Sequence, residues 1–286
     1  MRDFVFMIDV NGDLDPEFAE EHGVRIMPQY YHFNDGVIYG DEMQMPIEGF
    51  FARLKSGARA YSMGCNPDRV RGIMEGALKE EKDIIVLMAS SECSGSYNTV
   101  RVQAEDLMEE YEGSRIYVID TYLECAPIAL MCMLGLKLQE EGKSFDEIIE
   151  ILEGRKRNFN LYFIVDDLDC LIRGGRLSPL SGAVGKMLSI KPILTFVDGK
   201  IEAIAKCRGK KAAKAAIMDE LAKKNLDPEW FAGVHTVNYD EGHAFATEVA
   251  DNFGLNLIGT YEVNPTIGAH AGGGAFGVVF CTAEED

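Results

Sequence analysis

The 286-residue chain is short of basic side chains: 28 Lys and Arg stand against 47 Asp and Glu, a formal net charge of −19 at pH 7. Proteins that hold nucleic acid neutralise phosphates with a basic surface, so this excess of acid argues against general nucleic-acid binding. Long apolar runs are missing too. None approaches the ~20 residues that a membrane span needs, and Asp9 and Asp13 come too early for a secretory signal. We therefore expect a cytoplasmic protein with at most transient membrane contact. The seven cysteines (Cys65, Cys93, Cys125, Cys132, Cys170, Cys207 and Cys281) are odd in number, scattered and never in a CxxC pair, which argues against a disulfide framework or a zinc site. There is no P-loop and no kinase glycine loop with its partner lysine, so ATP binding through those motifs is not expected.

What is present is enough apolar material, 47% of residues, for a substantial core. Strand-like runs at 4–9, 84–88 and 115–120 alternate with helix-like segments at 16–23, 67–80, 97–111 and roughly 123–139, the last expected to break at Pro127. Such alternation with continuous apolar strands predicts a parallel sheet covered on both faces. A further helical stretch, 144–158, ends this pattern. Beyond it come a strand at 163–165, two alternating runs joined by Asp198-Gly199, helices at 210–224 and 241–253, a strand at 233–238 and a glycine-rich end. Asp-Gly between alternating runs is a strong hairpin signal. The expected architecture is α/β with two domains, a three-layer α/β/α parallel unit over 1–158 and a two-layer unit with a mixed sheet over 159–286.

Charge is unevenly spread. Within 173–214, ten Lys and Arg face only Asp198 and Glu202. This basic island is either an ordinary solvated face or a docking surface for an acidic partner.

Three segments have the composition of ligand loops. The first, 89-ASSECSGSY-97, follows the buried-looking strand 84-IIVLM-88 and precedes a helix, the position where open α/β sheets bind ligands. Amides and hydroxyls there suit an anion, although a single serine at such a place is as well explained by capping the helix. The others are 61-YSMGCNPD-68, also ahead of a helix, and 268-GAHAGGG-274, where flanking glycines give His270 room to approach a ligand.

These residues resemble the DegV family over essentially the full chain, and through it the fatty-acid-binding subunit of bacterial fatty acid kinases. SECSGSY (91–97) is similar to the family's SxLSGTY, 166-DDLDCLIRGGRLS-178 to its D-L-x-x-L-x-x-G-G-R-I-S, and GAHAGGG to its G-x-H-x-G-P-G; IKPIL (190–194) and DGKI (198–201) also match. The resemblance implies a two-domain DegV-like fold with a long-chain fatty acid in the cleft, its carboxylate held by Ser62, Ser94 with Gly95, and His270. It implies no cofactor beyond that ligand and no catalysis of its own. The partner would be a separate ATP-dependent kinase that makes an acyl phosphate, docking near Arg173 and Arg176. Met63, Met187 and Leu188 are candidates for lining the tail pocket. The chain departs from the family around the head group, with SMGCNP (62–67) for TSQPSP, 9-DVNGDL-14 for DSTADL, and Gly273 for the proline of G-P-G. Two rival readings remain: a binder of a different carboxylate lipid, and a hydrolase using Ser94 and His270, for which no third triad member is identifiable.

Overall fold

The computed structural model describes residues 2–178 and 190–283. The N-terminal half runs β1 (Phe4–Asp9), a 3-10 turn, α1 (Pro16–Glu21), β2 (Arg25–Met27), β3 (Tyr30–His32), β4 (Ile38–Tyr39), α2 (Ile47–Lys55), β5 (Tyr61–Met63), α3 (Pro67–Lys79), β6 (Asp83–Met88), α4 (Ser96–Glu110), β7 (Ile116–Asp120), α5 (Ala126–Glu140) and α6 (Phe145–Arg155). The other half runs β8 (Phe159–Ile164), α7 (Leu168–Arg173), β9 (Ile190–Val197), β10 (Lys200–Arg208), α8 (Lys210–Leu221), β11 (Leu226–His235), α9 (Tyr239–Phe253), β12 (Leu257–Glu262), α10 (Pro265–Ala271) and β13 (Phe276–Thr282).

Strands β2-β1-β6-β7 form an all-parallel sheet. Every residue of β6 is buried, as expected for a strand covered on both faces. Its side chains alternate between two cores. Ile84, Val86 and Met88 join Val70, Met74, Val100 and Leu107 from α3 and α4, while Ile85 and Leu87 join Ile128 and Met131 from α5. This half is the expected three-layer α/β/α unit.

Helix α5 is apolar almost all round, and eleven of its residues are buried. A helix of that kind belongs in an interior. It packs between the parallel sheet and the inward face of a second sheet, of order β10-β9-β8-β13-β11-β12, contributing to one core with Leu161, Phe163, Leu194 and Val234. Helices α8 and α9 cover the opposite face of that sheet, against Tyr162, Ile164, Phe231 and Val278. The sheet is mixed: only β11 and β12 pair in parallel. Asp198 and Gly199 join β9 to β10 with φ of 46° and 82°, the positive values that a tight hairpin turn of matching twist requires.

One sequence expectation is corrected. Pro127 lies in the first turn of α5, where a missing N–H costs nothing, so it starts the helix and does not break it. Residues 24–33 are two strands of different sheets. β3 joins a small antiparallel sheet, β4-β3-β5, capped by an aromatic cluster of Tyr31, Phe33, Phe50 and Phe51. This cluster packs against α10, where a Cβ on Gly268 would lie 2.8 Å from the Phe50 ring.

Candidate ligand-binding site

The small sheet and α10 bring two distant loops together. Strand β5 pairs Ser62 with Tyr31, and α10 carries His270 up to it. Ser62 Oγ and His270 Nε2 are 2.7 Å apart, across 208 residues of sequence. Helix α10 is itself fixed at its start. Asn264 caps it by accepting from the Thr266 and Ile267 amides, and donates its own backbone N–H and side-chain amide to Asp13 Oδ1.

The Gly-Gly-Arg segment completes the arrangement. A Cβ on Gly174 would sit 2.1 Å from His270 Nδ1, so the glycine is needed for space. Its φ of −72° is ordinary. Arg176 donates from Nε to the Cys93 carbonyl (2.9 Å) and from Nη1 to the Gly174 carbonyl (2.5 Å), tying the serine loop to the glycine turn. Burial, with the Arg176 charge adding to it, lowers the pKa of His270 to about 4. The imidazole is therefore neutral at pH 7, with one ring nitrogen a donor and the other an acceptor.

The serines after β6 divide their work. Ser90 Oγ donates to the Gly199 carbonyl at 2.8 Å, holding the loop to the β9–β10 hairpin, and Ser96 Oγ accepts from the Cys65 amide at 3.1 Å. Ser91 is exposed. Ser94 is half-buried and accepts from the Ser96 amide at 3.2 Å, which leaves its hydroxyl proton to donate elsewhere. Gly95 is the N-cap of α4, and nothing would crowd a Cβ there.

Ser62, Ser94, Gly95 and His270 all line one cavity of about 320 Å³ between the two halves. Its walls differ in chemistry. Asn11, Gln29, Ser62, Ser94 and Glu124 make a polar wall on the N-terminal side, while Leu161, Phe163, Phe196, Ile201, Val234 and Phe276 of the second sheet make an apolar one. Met63 is in the lining as expected; Met187 and Leu188 lie outside the described residues. A larger open groove of about 1210 Å³ shares Ser62, Arg176 and His270 with the cavity and also carries Arg173 and Lys210. The Ser62–His270 pair thus stands where the smaller cavity meets the larger groove.

The sequence reading missed the buried acids in and next to the polar wall. Asp9 accepts from the Gln29 amide at 2.7 and 2.8 Å and from the Asn11 N–H at 2.9 Å, yet burial raises its pKa to about 6. Burial raises Asp13 further, to about 7. Glu124 is pushed well above the usual carboxyl range by burial first and by the Asp9 charge second, with the Arg176 charge and Asn11 opposing. Asp9 and Asp13 fall in a segment the sequence had marked, but Glu124, in TYLEC, carried no signal beyond a helix start. His235, also in the lining, lies near the end of β11, with burial lowering its pKa.

Part of the basic island is paired within the molecule. Lys191 bonds Asp166 at 2.9 Å, and Lys210 and Lys214 approach Glu241 at 3.2 and 3.3 Å. Arg173 is exposed on the groove and donates to Cys170 Sγ. Among the described residues no group of His, Cys, Asp and Glu is arranged to hold a metal ion, and no helix is long and apolar enough to cross a membrane.

Known proteins share this architecture. A DegV domain-containing protein of Clostridium perfringens is 28% identical over 284 residues, covering 98% of each chain. The solved structure described as "Fatty Acid Binding of a DegV family Protein from Thermus thermophilus" is 26% identical, with a TM-score of 0.88 over 99% of this chain and all of that one. A fat acid (stearic acid)-binding protein from Eubacterium ventriosum matches at TM-score 0.89 over 98% of each chain, but its 21% identity speaks for the fold alone. The family model described as "Uncharacterised protein, DegV family" matches residues 4–283, nearly the whole sequence, and the chain belongs to the DegV family.

Proposed function

We propose that this protein binds a long-chain fatty acid, with the carboxylate at Ser62, Ser94 and His270 and the tail in the apolar cavity. The observation that carries this reading is the 2.7 Å Ser62–His270 pair at the meeting of cavity and groove. With His270 Nε2–H donating to Ser62 Oγ, a carboxylate there can accept from the Ser62 and Ser94 hydroxyls, which satisfies it without a direct ion pair. Burying the chain provides most of the affinity, at roughly 0.8 kcal/mol per methylene. The fatty acids named for the Thermus thermophilus and Bacillus subtilis relatives agree with this ligand class. Native mass spectrometry of the purified protein, followed by lipid extraction, tests it. A co-purifying C14–C18 acid is expected, and a protein that neither carries nor takes up such an acid would overturn the reading.

Removing either hydroxyl should weaken binding by about 1–3 kcal/mol, because a buried carboxylate oxygen loses a donor. Ser62→Ala and Ser94→Ala act on one head group, so their effects should be non-additive by roughly 0.5–3 kcal/mol in a double-mutant cycle. Strict additivity would separate them into different sites.

The bound acid is presented through the groove to a separate kinase, and this chain has no turnover of its own. Arg173, exposed on the groove, is positioned to meet an acidic partner, whereas Arg176 is occupied by two carbonyls. Arg173→Ala should therefore keep fatty-acid affinity and impair kinase-coupled turnover, with the defect masked at high salt. Arg176→Ala should lower the melting temperature first. Normal turnover by Arg173→Ala would remove the docking role. The Ser62–His270 contact also has the look of a nucleophile and base, but His270 Nδ1 has no hydrogen-bond partner among the described residues to orient it. Turnover of nitrophenyl esters, lost in Ser62→Ala, would favour a hydrolase.

A further inference from the structure

The cavity offers more polar atoms than one carboxylate uses. Asn11 Oδ1 and Glu124 Oε2 have no hydrogen-bond partner among the described residues, though Asn11 is 3% and Glu124 6% exposed. Both side chains line the cavity. Buried polar groups are normally satisfied, and a run of methylenes laid against these two would leave them without partners.

We infer that the preferred ligand is a fatty acid bearing a hydroxyl near its carboxyl end, received by Asn11 and Glu124. The inference rests on the proposed fatty-acid binding and adds the ligand class. A hydroxyl both donates and accepts. Burial, with the Asp9 charge adding to it, pushes the Glu124 carboxyl well above its usual range and favours its protonated form, whose O–H can donate to the hydroxyl while the Asn11 carbonyl accepts from it. An ether would leave Asn11 unmet, and an ammonium would leave the Glu124 proton unmet.

The position along the chain follows from the polar wall. Ser62 pairs with Tyr31; two residues before it, Gln29 holds the Asp9 carboxyl, which in turn accepts from the Asn11 N–H. Asn11 accepts through its own backbone carbonyl from the Cys125 N–H, next to Glu124, at 2.8 Å. The wall is thus continuous from the head-group serine to the Asn11–Glu124 pair. Apolar residues of the second sheet line the same cavity and offer the remaining chain a surface to lie on.

The test measures affinities of the full-length, delipidated protein for hexadecanoic, 3-hydroxyhexadecanoic and 16-hydroxyhexadecanoic acids. The 3-hydroxy acid should bind about 10-fold tighter than the plain acid, the free-energy equivalent of about 1.4 kcal/mol. Glu124→Gln, which keeps a donor at the same place, should retain most of that ratio. Glu124→Leu and Asn11→Ala, checked for folding, should reduce it to within about twofold, a residue of preference that an intact hydroxyl pair would exceed. Equal affinities in the parent protein, the result if water alone serves these atoms, would overturn the inference and leave fatty-acid binding standing. So would a preference that survives Glu124→Leu, or one for the 16-hydroxy acid only. Failure to bind any of the three would overturn the inference together with the function it rests on.

Discussion

Asp13→Asn should stabilise the folded protein at pH 8 by about 1–3 kcal/mol and flatten its dependence on pH. The buried Asp13 carboxyl has a pKa of about 7 and Asp9 one of about 6, against 3.8 for an unburied aspartate. Between pH 4 and 7 the native state therefore holds protons that the unfolded chain has released. Their stabilisation is complete below about pH 4 and is lost as pH rises through 6 and 7. His270 works the other way: with its pKa lowered to about 4, it costs stability as pH falls from 6.5 toward 4. Two raised carboxyls, with Glu124 raised beside them, outweigh one imidazole above pH 6. The parent protein should accordingly melt several degrees higher at pH 6 than at pH 8, at roughly 2–4 °C per kcal/mol. Asparagine suits the site. It keeps an oxygen for the Asn264 donors, tolerates the left-handed φ of 53°, and carries no charge to bury. Thermal melts of both proteins at pH 6 and 8, free of ligand, check this. A parent Tm that does not fall between pH 6 and 8, or an Asp13→Asn protein less stable at pH 8, would show that the cluster is not held protonated.

Features that depend on neighbours along the chain could be read from the sequence. The all-buried strand IIVLM and the Asp198-Gly199 hairpin are local patterns whose physics is complete within a few residues. Pro127 was misjudged because a proline within a long apolar segment can either end a helix or begin one. The distinction lies in where the first turn falls, which the strained Cys125 before it (φ 65°) sets from outside the pattern. The small sheet was missed for another reason: β3, β4 and β5 are two or three residues long, too short to show a period. At the site, Ser62, Ser94 and His270 stood out because serine and glycine are concentrated around them. Gln29 and Glu124 did not, since nothing local distinguishes a buried polar side chain from a solvated one. Their significance comes from contacts between segments apart in sequence, as where Gln29 donates to Asp9.

Gly174→Ala should reduce fatty-acid affinity about 10- to 100-fold, or about 1.4–2.7 kcal/mol, while leaving the fold intact. The backbone at Gly174 has φ −72° and ψ −9°, which alanine adopts without strain, and losing glycine's freedom in the unfolded chain slightly favours the folded state. The obstacle lies in front of it: the added methyl would be 2.1 Å from His270 Nδ1 and 2.9 Å from Cε1. The ring must turn away, and its 2.7 Å contact with Ser62 is lost with it. Gly175 provides the contrast. It has φ of 73° and open space for 4 Å around the position a methyl would take, so Gly175→Ala meets backbone strain of about 1–2 kcal/mol and no side chain. One substitution should therefore cost binding with little change in melting temperature, and its neighbour should cost melting temperature with binding largely kept. Isothermal titration with hexadecanoic acid and thermal melts of both variants separate the two effects. Parental affinity in Gly174→Ala would mean that His270 does not need its place beside Ser62 to hold the ligand, and the head-group assignment would fall with it.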